Sequence, residues 1–177
     1  MQDDVTISFS TLTTPRLVLR QLRQTDAKAI AELHSNESVN RYIKRARQTT
    51  LERAKAFIMD INNGIRAKKW LYWAICQKEE TQLMGTICVW NFSANKTIAE
   101  IGYELNPAYQ GQGFMSEAMT CVIHYSFEKL KIKILEAFTH KDNSSSIHLL
   151  LKNHFQLDPN RKDEENVNNK IFTLSYP

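Results

Sequence analysis

Apolar positions alternate with polar ones in some segments of the chain and recur every three to four residues in others. Alternation and short apolar runs predict strands at residues 17–22, 70–76, 83–92, 98–105, 132–139, 155–157 and 170–175. Helical spacing behind capping residues predicts helices that begin at Thr25 or Asp26, at Thr50, near Phe114, and at Asp142 or Asn143. Gly64 is expected to end or weaken the second helix. The resulting order, β-α-α-β-β-β-α-β-α-β-β, predicts a mixed α/β fold.

Length and charge narrow the class of protein. The 177 residues fit one domain, with its core between about residues 13 and 176. The net charge of +4 is mild and the basic cluster at residues 44–47 is short, so nucleic-acid binding is not expected. Three widely spaced cysteines without metal-ligand spacing predict buried free thiols and no metal site. The N-terminus shows no signal-peptide pattern and no apolar run is long enough to span a membrane, so we expect a cytoplasmic protein.

The stretch from Ile98 to Met119 combines a strand, a glycine turn and a helix start. Pro107 ends the strand because it lacks a backbone N–H and restricts the residue before it. Gly111 and Gly113 then permit a tight turn directly before the helix. Free N–H groups and the positive dipole end of a helix favour anions, so this turn is a candidate anion-binding loop. The alternative is that the glycines only allow the chain to turn and bind no ligand, since a lone glycine pair is common.

Two carboxylates lie on the same side of that strand. Residues two apart in a strand share a face, so Glu100, Gly102 and Glu104 point one way. Gly102 would let a ligand approach the sheet closely between the two glutamates. Periodicity alone equally allows both glutamates to be solvated residues on an open sheet face.

Several segments resemble the GNAT family of N-acetyltransferases. The segment GYELNP at residues 102–107 and the segment YQGQGFMSEA at residues 109–118 are similar to the family's acetyl-CoA-binding motif, roughly R/Q-x-x-G-x-G/A. The segment TPRLVLR at residues 14–20 and the pair Asn143 and Ser146 resemble the RimJ/RimL branch. The resemblance covers nearly the whole chain and implies a GNAT-like fold, with a mostly antiparallel central sheet of about six to seven strands flanked by helices. One departure is His154 before Phe155, where the family usually has glycine, and we expect it to alter a helix cap rather than the chemistry.

The resemblance also implies a set of cofactor-binding residues. The backbone near Leu105 would hydrogen-bond the pantetheine arm of acetyl-CoA and stabilise the oxyanion of the reaction. Asn143 would contact the pantetheine or acetyl end, and Ser146 would lie near the sulfur to protonate or stabilise the leaving thiolate. Ser146 as an ordinary solvent-facing helix residue is the alternative. The pyrophosphate would be held by backbone N–H groups of the loop and helix start, from Gln110, Gly111, Gln112, Gly113, Phe114 and Met115.

The implied reaction is direct attack of a neutral amine on the thioester, without a metal or a covalent enzyme intermediate. An α-amine has a pKa near 8 and a lysine near 10.4, so a base must take a proton from the ammonium form. Glu100 is the first candidate for this base, because its place in the strand resembles the family's base position, and Glu104 is the second.

The acceptor stays open between a protein N-terminus and a small-molecule amine. The aromatic residues that would line its pocket, or else pack in the core, are Tyr42, Trp70, Trp73, Trp90 and Phe92. A homodimer is a family-level expectation only. The alternative function is a non-catalytic acyl-CoA-binding or regulatory module, which would keep the loop and lack a working base.

Overall fold

The computed structural model describes residues 7–43, 45 and 50–176. Residues 1–6 and positions 44, 46 and 47 of the basic cluster therefore lie outside the described residues. The strands are β1 (Leu12–Thr13), β2 (Leu17–Arg20), β3 (Leu71–Gln77), β4 (Leu83–Trp90), β5 (Ile98–Leu105), β6 (Ile134–His140), β7 (Gln156–Leu157) and β8 (Asn169–Ser175). The helices are α1 (Ala27–Ser35), α2 (Glu37–Asn40), α3 (Leu51–Arg66), α4 (Phe114–Glu128) and α5 (Ser144–Lys152).

One mixed sheet of eight strands runs through the molecule in the order β1-β2-β3-β4-β5-β6-β8-β7. Its neighbouring strands are antiparallel, except for β5 and β6, which are parallel. The prediction of a mixed, mostly antiparallel fold is thus confirmed, and β5 has the predicted bounds. The sheet has one strand more than the expected six to seven. The additional strand is β1, which pairs with β2 over only two residues. A two-residue strand is too short to produce a hydrophobic pattern.

Two helix caps follow the sequence signals, whereas at the start of α1 the Asp26 side chain makes no capping hydrogen bond and binds Arg20 instead. The Thr50 hydroxyl accepts a hydrogen bond from the Arg53 N–H at the start of α3, and the Asn143 side chain accepts from the Ser146 N–H at the start of α5. Gly64 does not end α3, which continues to Arg66. A Cβ at Gly64 would lie 2.0 Å from the Trp70 ring, so this glycine serves close packing rather than a helix stop.

The sheet separates two hydrophobic layers. On one face, Trp73 of β3 packs in the cluster that contains Met119 and Val122 of α4. On the other face, Ala74 of β3 packs with helices α1 and α3. Because successive residues of a strand point to opposite faces, these layers give each position on β5 a defined side. Within the described residues, no helix combines the length and apolar character that crossing a membrane requires.

Candidate active site

The two parallel strands form a cleft where they stop pairing. Residues Ile98–Glu100 of β5 pair with Ile134–Glu136 of β6, and no pairing follows beyond Glu100. Yet β5 continues to Leu105 and β6 continues to His140. The two strand ends therefore diverge and leave an opening in the middle of the sheet.

Backbone groups of β5 line this opening. The Asn106 N–H donates to the Met84 carbonyl of β4, so by alternation the N–H and carbonyl groups of Tyr103 and Leu105 face the opposite, open side. One of these groups already has a partner, since the Gln110 side-chain amide donates to the Leu105 carbonyl at 3.0 Å. The backbone of Tyr103 thus joins Leu105 as a candidate for hydrogen bonds to an extended ligand. For this role the sequence indicates only Leu105.

The glycine loop continues from the end of β5 to the start of α4. Gly111 and Gly113 have φ angles of 75° and 79°, a left-handed conformation that favours glycine. Gly113 is the N-cap of α4, and the structure gives the N–H groups of Phe114 and Met115 no acceptor within the described chain. A Cβ at Gly111 would meet no atom within 4 Å. The predicted loop is therefore open and presents free N–H groups, as an anion site requires.

Arg16 adds a positive charge to this loop. Its Nη1 donates to the Gln112 carbonyl at 3.0 Å, and its guanidinium stacks over the Phe114 ring at 4.5 Å. Its Nε binds Glu117 of α4 at 2.6 Å, and the Thr14 hydroxyl donates to the same carboxylate at 2.6 Å. Partial burial raises the pKa of Glu117, but these hydrogen bonds outweigh it and hold the pKa below its usual value. The residues before β2 thus clamp the loop, although the sequence reasoning gave Arg16 no role.

Glu100 occupies the narrow end of the cleft. It is half-buried, and its Oε2 is 3.4 Å from the Asn91 side-chain amide. Burial raises the pKa of Glu100 to about 7, and the charges of Glu136, Asp163 and Glu165 act in the same direction. A carboxyl with this pKa can take up a proton near neutral pH.

Glu104 lies on the same face but in a different environment. It is 9% exposed, its Oε1 lies 2.9 Å from His34 Nε2, and its Oε2 lies 2.7 Å from Arg45 Nη2. Burial raises the pKa of Glu104, but the contacts with His34 and Arg45 outweigh it and lower the pKa below its usual value. Such a carboxylate is committed to buried partners, which disfavours Glu104 as a base. Glu104 is therefore not a solvated residue on an open face, the alternative that periodicity allowed, whereas Glu100 is only half-buried.

Asn143 and Ser146 lie at the start of α5, across the cleft from β5. The Asn143 side chain caps the helix by accepting from the Ser146 N–H at 3.2 Å. The Ser146 hydroxyl is 2.7 Å from the Tyr103 hydroxyl of β5. This hydrogen bond spans the two sides of the cleft and makes Tyr103 part of the site, which the sequence reasoning did not find. The sequence does contain a signal for this role: Tyr103 lies beside the cofactor-binding motif, and its side chain points to the face of β5 opposite to the two glutamates.

Two of the five aromatic candidates lie beside the face that carries the glutamates. Trp90 of β4 is in register with Glu100 and is 43% exposed. Tyr42 stacks on His140 of β6, with ring centroids 5.0 Å apart. The other three pack against α3 or the core, namely Trp70, Trp73 and Phe92.

His154 follows the end of α5 with a φ of 65°, so histidine takes the left-handed position expected of glycine. Its neighbours complete the helix end, because the Phe155 N–H donates to the Leu150 carbonyl. This agrees with a role in the helix cap.

Comparison with known proteins identifies the family of this arrangement. Residues 16–156 match the family model of the acetyltransferase (GNAT) domain. The N-acetyltransferase YoaA of Bacillus subtilis is 35% identical over 148 residues, which cover 84% of each chain.

Solved structures share the fold. The ribosomal L7/L12 alpha-N-protein acetyltransferase RimL, solved with coenzyme A, superposes with a TM-score of 0.82 at 18% identity, covering 94% of this chain and 98% of that one. The microcin C7 self-immunity acetyltransferase MccE, solved with acetyl-CoA and AMP, gives a TM-score of 0.81 at 19% identity, covering 92% and 94%. At these identities the likeness shows the fold alone.

Proposed function

The chain belongs to the GNAT acetyltransferase family and is an N-acetyltransferase, and we propose that it transfers the acetyl group of acetyl-CoA directly to a primary amine, with Glu100 as the general base. The observation that carries this proposal is the position and pKa of Glu100. It stands at the narrow end of the cleft, with a pKa of about 7 caused first by burial. A base poised near the working pH is effective in proton transfer.

The glycine loop fits the anionic end of acetyl-CoA. It offers free N–H groups at the start of α4, two left-handed glycines, and the guanidinium of Arg16. The loop from Gln110 to Met115 would hold the pyrophosphate, and Asn143 would contact the pantetheine or acetyl end. The unpaired cleft edge of β5 offers hydrogen bonds to the extended arm, in the manner of an added strand.

The arm would follow β5 in the direction of Glu100. Five residues separate Leu105 from Glu100, which corresponds to about 17 Å along an extended strand. An arm that follows the cleft inward from the loop therefore runs toward the carboxylate, and the acceptor's proton can reach Glu100 through water. Bound there, acetyl-CoA supplies an activated acyl group, and the chain's own residues supply position, base and hydrogen bonds.

The protein groups divide the chemistry between them. Glu100 takes the proton that the ammonium group of the acceptor must lose before or during attack. A backbone N–H of Leu105 or Tyr103 stabilises the oxyanion of the tetrahedral intermediate. Ser146 lies across the cleft, in a place to stabilise the leaving thiolate.

The acceptor would approach on the face that carries Glu100. Glu136, Asp163 and Glu165 contribute negative charge at Glu100, and Arg161 pairs with only the first of them. This charge favours the approach of a cationic ammonium group. Both a protein N-terminus and a small-molecule amine satisfy that requirement, so both acceptor classes belong to the proposal.

A thiol-release assay tests the function. The protein is mixed with acetyl-CoA and a panel of amines: peptides beginning with alanine or serine, polyamines and amino sugars. We expect at least one amine to raise the rate of thiol release above the amine-free rate, with mass spectrometry detecting the acetylated product. If acetyl-CoA binds but no amine raises thiol release, the non-catalytic acyl-CoA-binding module replaces this proposal.

A further inference from the structure

The hydroxyl groups of Tyr103 and Ser146 form the only side-chain hydrogen bond that the described residues show between β5 and α5. Their oxygens are 2.7 Å apart, the usual distance for a hydrogen bond between two hydroxyls. Tyr103 comes from the middle of the unpaired end of β5, and Ser146 comes from the first turn of α5. The link lies where an extended ligand would pass between the two strands.

The side chain of Tyr103 lies on the face opposite to the glutamates. Successive strand residues alternate, and Tyr103 packs against the cluster that includes α4, whereas Glu104 contacts His34 of α1. The cleft therefore has a base on one face of the sheet and a pair of hydroxyls on the other. An amine attacking from the Glu100 face would leave the sulfur free to meet the hydroxyl pair.

We propose that Tyr103 is a positioning residue for acetyl transfer, which donates its hydroxyl hydrogen bond to Ser146 and so directs the Ser146 hydroxyl hydrogen at the leaving sulfur. This inference rests on the proposed function and adds a residue to it. A hydroxyl has one hydrogen and two acceptor lone pairs, so a serine that accepts from Tyr103 keeps its own hydrogen for another acceptor.

The remaining groups around Ser146 agree with this arrangement. Asn143 fixes the backbone N–H of Ser146 and so leaves its hydroxyl free of the cap. Burial raises the pKa of Tyr103 to about 12, so its phenol keeps its proton and stays a donor across the physiological range.

The reaction balances with both hydroxyls intact. The nitrogen–carbon bond forms, the carbon–sulfur bond breaks, and the electron pair of the broken bond stays on sulfur. Ser146 stabilises the developing thiolate through a hydrogen bond, and Tyr103 strengthens that donor by polarising the hydroxyl. The acceptor ammonium loses two protons as it becomes an amide: Glu100 takes the first and releases it to solvent, and the second leaves the nitrogen as the tetrahedral intermediate collapses and, through water, protonates the departing thiolate.

The test compares Tyr103→Phe, Ser146→Ala and the double variant in the thiol-release assay, with an amine that the wild type acetylates. We expect each single change to lower kcat roughly 10- to 100-fold, with the KM for acetyl-CoA within about twofold of wild type. The double variant should lose no more than the worse single variant, because both changes remove one function. Tyr125→Phe is the matched control, since its hydroxyl bonds the Ser8 carbonyl away from the cleft, and its kcat should not change.

Wild-type kcat in Tyr103→Phe, or losses that multiply in the double variant, would overturn the inference. Thermal melting checks that each variant is folded. Should Tyr103→Phe not fold, Ser146→Ala decides alone, since wild-type kcat in that variant leaves Tyr103 nothing to position. Every comparison uses an amine that the wild type acetylates. A result that overturns the role of Tyr103 is therefore distinct from the failure of the proposed function, in which the wild type itself acetylates no amine.

Discussion

Glu100 of β5 and Glu136 of β6 lie in register at the last residue pair of the parallel ladder. The negative charges of these two carboxylates have different partners. Arg161 forms an ion pair with Glu136, whereas the hydrogen bond that the structure shows to Glu100 comes from the neutral amide of Asn91. The uncompensated carboxyl, half-buried beside a like charge, is the one whose pKa rises to about 7. The point where two strands separate thus also creates a proton acceptor.

We expect Glu104 to stabilise the folded protein. Glu104→Gln breaks a buried ion pair with Arg45 and the contact with His34, so we expect the free energy of unfolding at pH 7 to fall by on the order of 3 kcal/mol. The folded-state pKa of Glu104 is lowered, so its contribution is present above the unfolded pKa of about 4.3 and is lost as pH falls through the folded pKa. Urea denaturation of both proteins from pH 7 down to pH 3 measures the difference, which should shrink at the acid end.

Glu100→Gln is the matched control for that experiment. The folded-state pKa of Glu100 is raised, so its ionised form opposes folding increasingly as pH rises from about 4.3 to about 7. Replacing it should leave the protein at least as stable as wild type at pH 8. A Glu104→Gln variant as stable as wild type at pH 7 would show that the buried pair contributes nothing.

Arg16 should govern cofactor affinity. Arg16→Lys keeps the charge but loses the forked contacts with Gln112 and Glu117, so we expect the KM for acetyl-CoA to rise roughly three- to tenfold with kcat largely kept. Steady-state kinetics at saturating amine measures both constants. Arg66→Lys, an exposed exchange at the end of α3, is the control and should match wild type. An unchanged KM for acetyl-CoA in Arg16→Lys would show that the contacts of Arg16 with the loop do not contribute to cofactor binding.

Gly113 should be required for the loop. Gly113→Val places a β-branched side chain at a φ of 79°, which L residues rarely adopt, and close to Arg16. We expect the acetyl-CoA dissociation constant to rise at least roughly tenfold by calorimetry. Ala108→Val places the same side chain at an exposed site in the turn before the loop, and this variant should bind acetyl-CoA normally. Equal affinity in the wild type and Gly113→Val would argue against the phosphate-binding role.

Local signals in the sequence were sufficient for β5, the glycine loop and the caps of α3 and α5. Alternation and Pro107 defined β5, and Thr50 and Asn143 marked helix starts, because each depends on residues a few positions apart. The environment of Glu104 could not be predicted, because its partner His34 lies 70 residues earlier in the chain. Glu100 and Glu104 look equivalent in the strand pattern, and only the packing of α1 and the charges around β6 distinguish them.

The link between Tyr103 and Ser146 was out of reach for the same reason. It joins residues 43 positions apart across a cleft whose existence depends on β5 and β6 pairing in parallel and then separating. Gly64 is a different case: the local rule predicts a helix end or a weakened last turn, and Gly64 lies two residues before the end of α3, but contact with the Trp70 ring explains why the residue is glycine.

The most direct test of Glu100 as the base is the pH dependence of kcat/KM in wild type and Glu100→Gln, with an acceptor whose amine pKa is near 8. Wild type should show a rising limb with a pKa of about 7 in addition to that of the amine. In Glu100→Gln we expect turnover to fall roughly 100-fold or more, the limb near 7 to vanish, and acetyl-CoA affinity to stay within about twofold of wild type. Wild-type turnover with the limb retained in Glu100→Gln would contradict the assignment, and loss of turnover in Glu104→Gln instead would move the base to Glu104.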